Sequence, residues 1–437
     1  MTGVERVRAV DAYRAYAILT VIAGHWLAFA LSVQDGRLTG RNLLEIWPPA
    51  PWLTWLFQVM PVFFLVGGYA NAASWTNRRG TLTPLGWIGA RLWRLLLPTA
   101  VLLVTVTAAA MLARTLGMDE GMLGLALAIA GLPLWFLAVY VAVVPLTPLL
   151  AAGQRRWGAR VPLALLASAV VVDVLFVHLG VPLVGYLNFA FFWIGVYCLG
   201  IAWRGGALPG RAWVPGALAI GGFVALVLLV ALGPYPVSML GAAGERVQNN
   251  GPPSAALVAL ALTQTGIVLL LRERVERWCA VPAVWRVVVP ANLVAMSLYL
   301  WHMVAGVLAS VVVWQVGLVA AAAPTTPVWW LWRPLWYATC ATILAVLVLL
   351  VRRFERPVQA LPGTPASSPR RVAAAVAGVL GACSGMVQLT VAGLGAGPAG
   401  LPLLGLAGFG LGAALLAWST GALRAAARAA PASRPLP

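Results

Sequence analysis

Apolar runs of about twenty residues alternate along this chain with short loops rich in either arginine or acids. A run of that length spans a bilayer core of about 30 Å as a helix. By apolar length, runs fall at about residues 13–33, 53–74, 95–115, 124–151, 161–180, 183–203, 212–232, 255–271, 288–318 and 331–351. The ninth is long enough to bend or tilt. Two more, at about 372–393 and 399–423, are rich in Ala, Gly and Leu. One set of loops holds Arg78 and Arg79, then Arg155, Arg156 and Arg160, then Arg272, Arg274 and Arg277, then Arg352 and Arg353. The loops between them hold fewer arginines and carry acids, among them Glu45, Asp119, Glu120 and Glu245. That alternation places both termini in the cytoplasm of a multi-pass protein of the cell inner (plasma) membrane. The expected fold is all-α, a polytopic transmembrane helix bundle, because a helix satisfies its own backbone in lipid. It divides into a ten-span core (1–357), a Pro- and Ser-rich cytoplasmic linker (358–371) and an accessory two-span hairpin with a basic tail (372–437).

Composition agrees with this. The chain has 437 residues, 62% hydrophobic and 9% charged, where a soluble domain carries nearer a quarter charged residues. The net charge is +18 and all 29 basic residues are arginine. In a membrane protein that excess is first an orientation signal, so no nucleic-acid partner is expected. Such a composition suggests a GC-rich bacterial genome. Cys198, Cys279, Cys340 and Cys383 are scattered, with no disulfide framework and no metal-ligand spacing. No GxSxG, Walker or HExxH pattern appears.

Candidate chemistry gathers in the first span. Asp11, Arg14 and His25 lie along one helix. The eleven residues from Arg14 to His25 return to nearly the same face, about 16 Å apart along the axis. With Arg14 at the interface, His25 falls near the bilayer middle. Such a polar ladder is costly unless it is used or well paired. It reads as a reactive line or as a snorkelling arginine and a bundle-bonded histidine. His302, in Ser297-Leu-Tyr299-Leu-Trp-His302, is also interior. It reads as a second cavity histidine or a hydrogen-bonder within the bundle. His178 sits at a span end, where a loop-facing structural role fits better. A neutral buried histidine can take a proton from a hydroxyl near pH 7. Arg91 and Arg94 stand at i and i+3. They form a phosphate-binding pair or serve as topology arginines. Gly67 and Gly68, before Tyr69, suit close helix packing, and Trp135-Phe136-Leu137 with Tyr140 is ambiguous.

Together these residues resemble the membrane-bound acyltransferase 3 family. The likeness runs through Arg14-x10-His25, Phe63-Phe64-Leu-Val-Gly67-Gly68-Tyr69, Arg91-x-x-Arg94, Trp135-Phe136-Leu137, Ser297-x-Tyr299-x-x-His302 and Glu355-Arg356-Pro357, in that order over about 1–357. It implies an enzyme that moves an acyl group, acetyl by family habit, from cytoplasmic acyl-CoA to a hydroxyl of a carbohydrate, glycolipid or glycosylated metabolite. His25 would then be the general base. Arg14, Arg91 and Arg94 would bind acyl-CoA, and Asp11, Tyr69, Trp135, Tyr299 and His302 would line a tunnel or acceptor site. The resemblance implies no metal and no permanently bound cofactor, with acyl-CoA as co-substrate. Two departures stand out. Gly67 replaces a serine common in relatives, and a carboxylate pair that some relatives carry after the span-four tryptophan is absent. The rival reading is a proton-coupled transporter or flippase using the same intramembrane Arg/His line. Against a transporter stand the lack of an internal repeat and of membrane acids other than Asp173.

Overall fold

The apolar runs become helices in the computed structural model, which describes residues 7–34, 37–208, 210–241, 244–319, 322–355, 368–397 and 400–421. The chain opens with α1 (Arg8–Ala28), a two-stranded antiparallel hairpin of β1 (Phe29–Gln34) and β2 (Arg37–Asn42), and the short helices α2 (Leu43–Ile46) and α3 (Ala50–Phe57). It continues with α4 (Met60–Arg78), α5 (Pro84–Thr115), α6 (Glu120–Gly131), α7 (Leu134–Val143), α8 (Thr147–Trp157), α9 (Arg160–Val177), α10 (Asn188–Arg204) and α11 (Val214–Leu232). The last helices are α12 (Ala255–Ala280), α13 (Pro282–Leu293), α14 (Ala295–Gln315), α15 (Pro327–Val351), α16 (Pro369–Ala392) and α17 (Leu403–Thr420). Among the described residues, eleven helical segments are long and apolar enough to cross a membrane. The protein is an all-α polytopic bundle. Arg356 and Pro357, most of the linker and the basic tail lie outside the described residues.

Local chemistry explains where helices start and break. Thr83, Asp119, Ser254 and Ser368 cap α5, α6, α12 and α16, each accepting an amide of the first turn. The fourth apolar run is not one helix. Pro133 separates α6 from α7, and a 3-10 turn containing Pro145 separates α7 from α8. The ninth run divides at Val294 into α13 and α14. The eighth continues past its apolar stretch through Arg272, Arg274 and Arg277. Arg91 and Arg94 stand inside α5.

The largest departure is at the first run. It is helical only to Ala28, and Phe29–Gln34 pairs with Arg37–Asn42 as strands. The apolar run reaches residue 33, and a short apolar stretch fits strand or helix equally. His25 therefore occupies the last turn of α1 rather than its middle.

The described residues form two compact units. The first draws on Met1–Ala73, Leu149–Ala295 and Leu308–Ile343, and the second on Ser74–Pro148, Met296–Val307 and Leu344–Pro437. In the first, α4 and α10 touch backbone to backbone. A Cβ on Gly68 would lie 2.0 Å from the Tyr197 carbonyl oxygen, and one on Gly200 would lie 1.8 Å from that of Leu65. In the second unit, α16 and α17 pack as closely, and a Cβ on Gly412 would meet the Ala382 amide nitrogen at 2.2 Å. This hairpin also packs on α5, α6 and α7. The Cys383 thiol donates to the Ala138 carbonyl at 3.2 Å, and Arg114 reaches the Gly400 carbonyl at 3.3 Å.

Candidate functional site

Helix α1 is held at both ends by charges of the sign its dipole favours. At its start, the Glu276 carboxylate of α12 accepts the amides of Arg8 (3.1 Å) and Ala9 (2.8 Å). At its end, where the carbonyls of the last turn lack helical partners, α15 supplies donors. Arg333 donates to the carbonyls of Trp26 (3.2 Å) and Leu27 (2.5 Å), Trp336 to that of Trp26 (2.9 Å), and Tyr337 to that of Ala23 (2.7 Å). An acid at the N-terminus and a base at the C-terminus each stabilise a helix by roughly 0.3–1 kcal/mol when exposed, and up to about 2 when partly buried. The Tyr13 hydroxyl ties the second turn of α1 to the Val268 carbonyl at 3.0 Å.

His25 lies in the turn that α15 grips. Its Nδ1 is 3.0 Å from the Val21 carbonyl. A carbonyl only accepts, so in the neutral ring Nδ1 carries the proton and Nε2 presents a lone pair. That is the tautomer a base uses at Nε2. The residue is half-buried. Asp11 and Arg14 stand on the same helix toward its start, both half-buried. Asn292 donates to the Asp11 backbone carbonyl at 2.8 Å. Tyr69, on α4, packs its ring against Trp203 (4.7 Å between centroids), with the Arg204 guanidinium 6.0 Å from its centroid.

The second unit joins two motifs that lie far apart in sequence. The Tyr299 hydroxyl donates to the Pro133 carbonyl at 3.0 Å, at the α6–α7 break. Its ring meets Phe136 edge-on at 5.3 Å, and Phe136 contacts Trp135 and Tyr140. His302 is fully buried, and its Nδ1 lies 2.5 Å from the Tyr299 carbonyl. By the same logic as for His25, its Nε2 is the acceptor nitrogen. Ser297 donates its hydroxyl to the Glu355 carboxylate, linking the start of α14 to the chain just after α15. Arg91 is half-buried with its guanidinium 5.8 Å from the Trp87 ring centroid, while Arg94, one turn on, is exposed.

Three features escaped the sequence reading. Arg333 is 8% exposed, although it is a charge placed early in an apolar run. An arginine there is expensive in lipid and so marks a built environment, a signal that was present in the sequence. A second is the polar knot under the 233–254 loop. Asn249 donates to the carbonyls of Pro236 and Ser238 at 2.8 Å each. Gln58 bonds Met239 and Asn250, and Gln264 bonds the Gln58 carbonyl. The third is the contact of Asp173 with Tyr235, whose hydroxyl donates to the carboxylate at 2.5 Å. Burial and that neighbouring carboxylate push the Tyr235 phenol above its ordinary value. His178 is exposed and packs edge-on to Tyr235, in keeping with a structural role.

A family model described as an acyltransferase domain matches residues 7–352. No curated protein matches the chain. No solved structure does so either.

Proposed function

The chain belongs to the membrane-bound acyltransferase 3 family, whose model spans residues 7–352, and from that premise we propose that it transfers an acyl group, acetyl by family habit, from acyl-CoA to a hydroxyl of a carbohydrate, glycolipid or glycosylated metabolite. The observation that carries the reading is His25. It stands in a helix turn fixed by Arg333, Trp336 and Tyr337, with Nδ1 committed to Val21.

In this reading the acceptor hydroxyl gives its proton to His25 Nε2 as its oxygen attacks the thioester carbonyl. A carbon–oxygen bond forms and the carbon–sulfur bond breaks. The imidazolium then returns the proton to the departing CoA thiolate. Arg14, Arg91 and Arg94 bind the CoA phosphates, for which guanidinium forks are suited. Asp11, Tyr69, Trp135, Tyr299 and His302 line the path of the pantetheine arm or the acceptor. Both termini face the cytoplasm, as the arginine loops favour. Residues 372–437 are an accessory hairpin to the 1–357 core.

Thermal unfolding of the purified protein with CoA tests the donor. The account expects stabilisation by CoA that is lost in Arg91→Gln/Arg94→Gln. A shift that survives that double change removes the two arginines from the site. No shift in the unaltered protein argues against an acyl-CoA donor.

A further inference from the structure

Arg333 is the one charged residue of α15 and is buried, and its surroundings leave it incompletely satisfied. Nη2 is used by the two α1 carbonyls. Trp329 stacks on the guanidinium at 4.0 Å, and the Trp336 ring lies 5.8 Å away. Nε is buried without a hydrogen-bond partner. Among the described residues no carboxylate pairs with Arg333. Carbonyls and indole faces solvate a guanidinium, and the helix end offers about half an elementary charge. The rest of its charge stays uncompensated, and a buried ion lacking a counter-charge is unfavourable.

Beside this side chain is a cavity of about 50 Å³, lined by Val313, Val319, Ala322, Trp329, Trp332 and Arg333. It has room for one small oxyanion group and not for a sugar ring. Val316, Val328, Leu331, Trp332 and Leu335 are exposed apolar side chains on the same stretches of chain, with Gln315 the exposed polar one beside them. A ligand with apolar tails would lie against these side chains while its head group meets Arg333.

We propose that Arg333 and this cavity form a binding site for the phosphate of a lipid, held by the guanidinium with the tryptophans around it. Arginine pairs with phosphate through short, charge-assisted hydrogen bonds, and the phosphate supplies the missing counter-charge. The site uses none of the residues assigned to donor binding or proton transfer, and its test does not depend on those assignments. It would also link lipid occupancy to the last turn of α1, because Arg333 holds both.

The test uses the delipidated full chain in neutral detergent. Thermal unfolding and native mass spectrometry are followed with added phosphatidylglycerol, with diacylglycerol of the same tails, and with inorganic phosphate. The variants are Ala322→Phe, which fills the cavity and keeps Arg333, and Arg333→Gln. The proposal expects phosphatidylglycerol to bind and stabilise, diacylglycerol not to, and apparent affinity to fall about tenfold or more in Ala322→Phe, a loss of about 1.4 kcal/mol. If Arg333→Gln folds, it shows the same loss. Equal stabilisation by millimolar inorganic phosphate would overturn the lipid as source and keep only the phosphate site. Equal effects of diacylglycerol and phosphatidylglycerol, or lipid affinity unchanged in Ala322→Phe, would overturn the site itself.

Discussion

Tyr337 and Trp336 are the simplest single side chains on which to test how His25 is held. Each donates one hydrogen bond to a carbonyl in the last two turns of α1. Losing one such bond costs about 1 kcal/mol. Tyr337→Phe keeps the ring that meets Trp26 at 6.0 Å and removes only the donor. It should lower kcat severalfold while leaving the KM for acyl-CoA near its original value. A change confined to KM would remove Tyr337 from the support of the base. At the start of the same helix, Glu276→Gln replaces a carboxylate facing two amides by a neutral acceptor. It should cost about 0.5–1 kcal/mol of stability, seen as a lower Tm, and the loss should shrink in high salt. Arg333 completes this picture, and it shows why part of the site was hidden in the sequence. A lone arginine near the start of an apolar run signals a built environment but does not say what builds it. Its partners, the carbonyls of Trp26 and Leu27, are about three hundred residues earlier and leave no mark of their own in the sequence.

Among the elements, the α4–α10 contact makes the sharpest prediction. Gly68→Ala or Gly200→Ala would drive a methyl group into backbone at 2.0 Å or less. Backbone cannot yield as a flexible side chain does, so either variant should lower Tm by ten degrees or more, or fail to fold. Gly124→Ala and Gly216→Ala, in helices where a Cβ meets nothing within 4 Å, should be neutral or slightly stabilising. Thermal unfolding of the four proteins checks both halves. The paired glycines were legible as packing residues because small residues let helices approach in lipid. The apolar runs were legible as helices for a similar reason, since length and hydropathy nearly decide the matter in a bilayer. The β1–β2 hairpin was not. Phe29-Ala-Leu-Ser-Val continues the apolar run of α1, and its strand pairing depends on residues after 36. The meeting of Tyr299 with Pro133 and Phe136 was only half legible. Both motifs could be read, but their contact is tertiary.

At the scale of the whole molecule, the C-terminal hairpin extends beyond the region matched by the family model, which ends at 352, yet α16 packs on α7, the helix that carries Trp135 and Phe136. Truncation after 355 should therefore bare the α7 face, lower Tm and reduce activity, rather than leave an intact core; unchanged stability would mean the hairpin is dispensable. The central claim is acyl transfer with His25 as base. The most direct measurement is CoA release from acetyl-CoA by the purified protein and His25→Ala, with envelope glycans and lipids as acceptors and CoA binding followed in parallel. The account predicts acceptor-dependent release by the unaltered protein, lost by at least about a hundredfold in His25→Ala while CoA binding is kept. Equal release by the two proteins would contradict it.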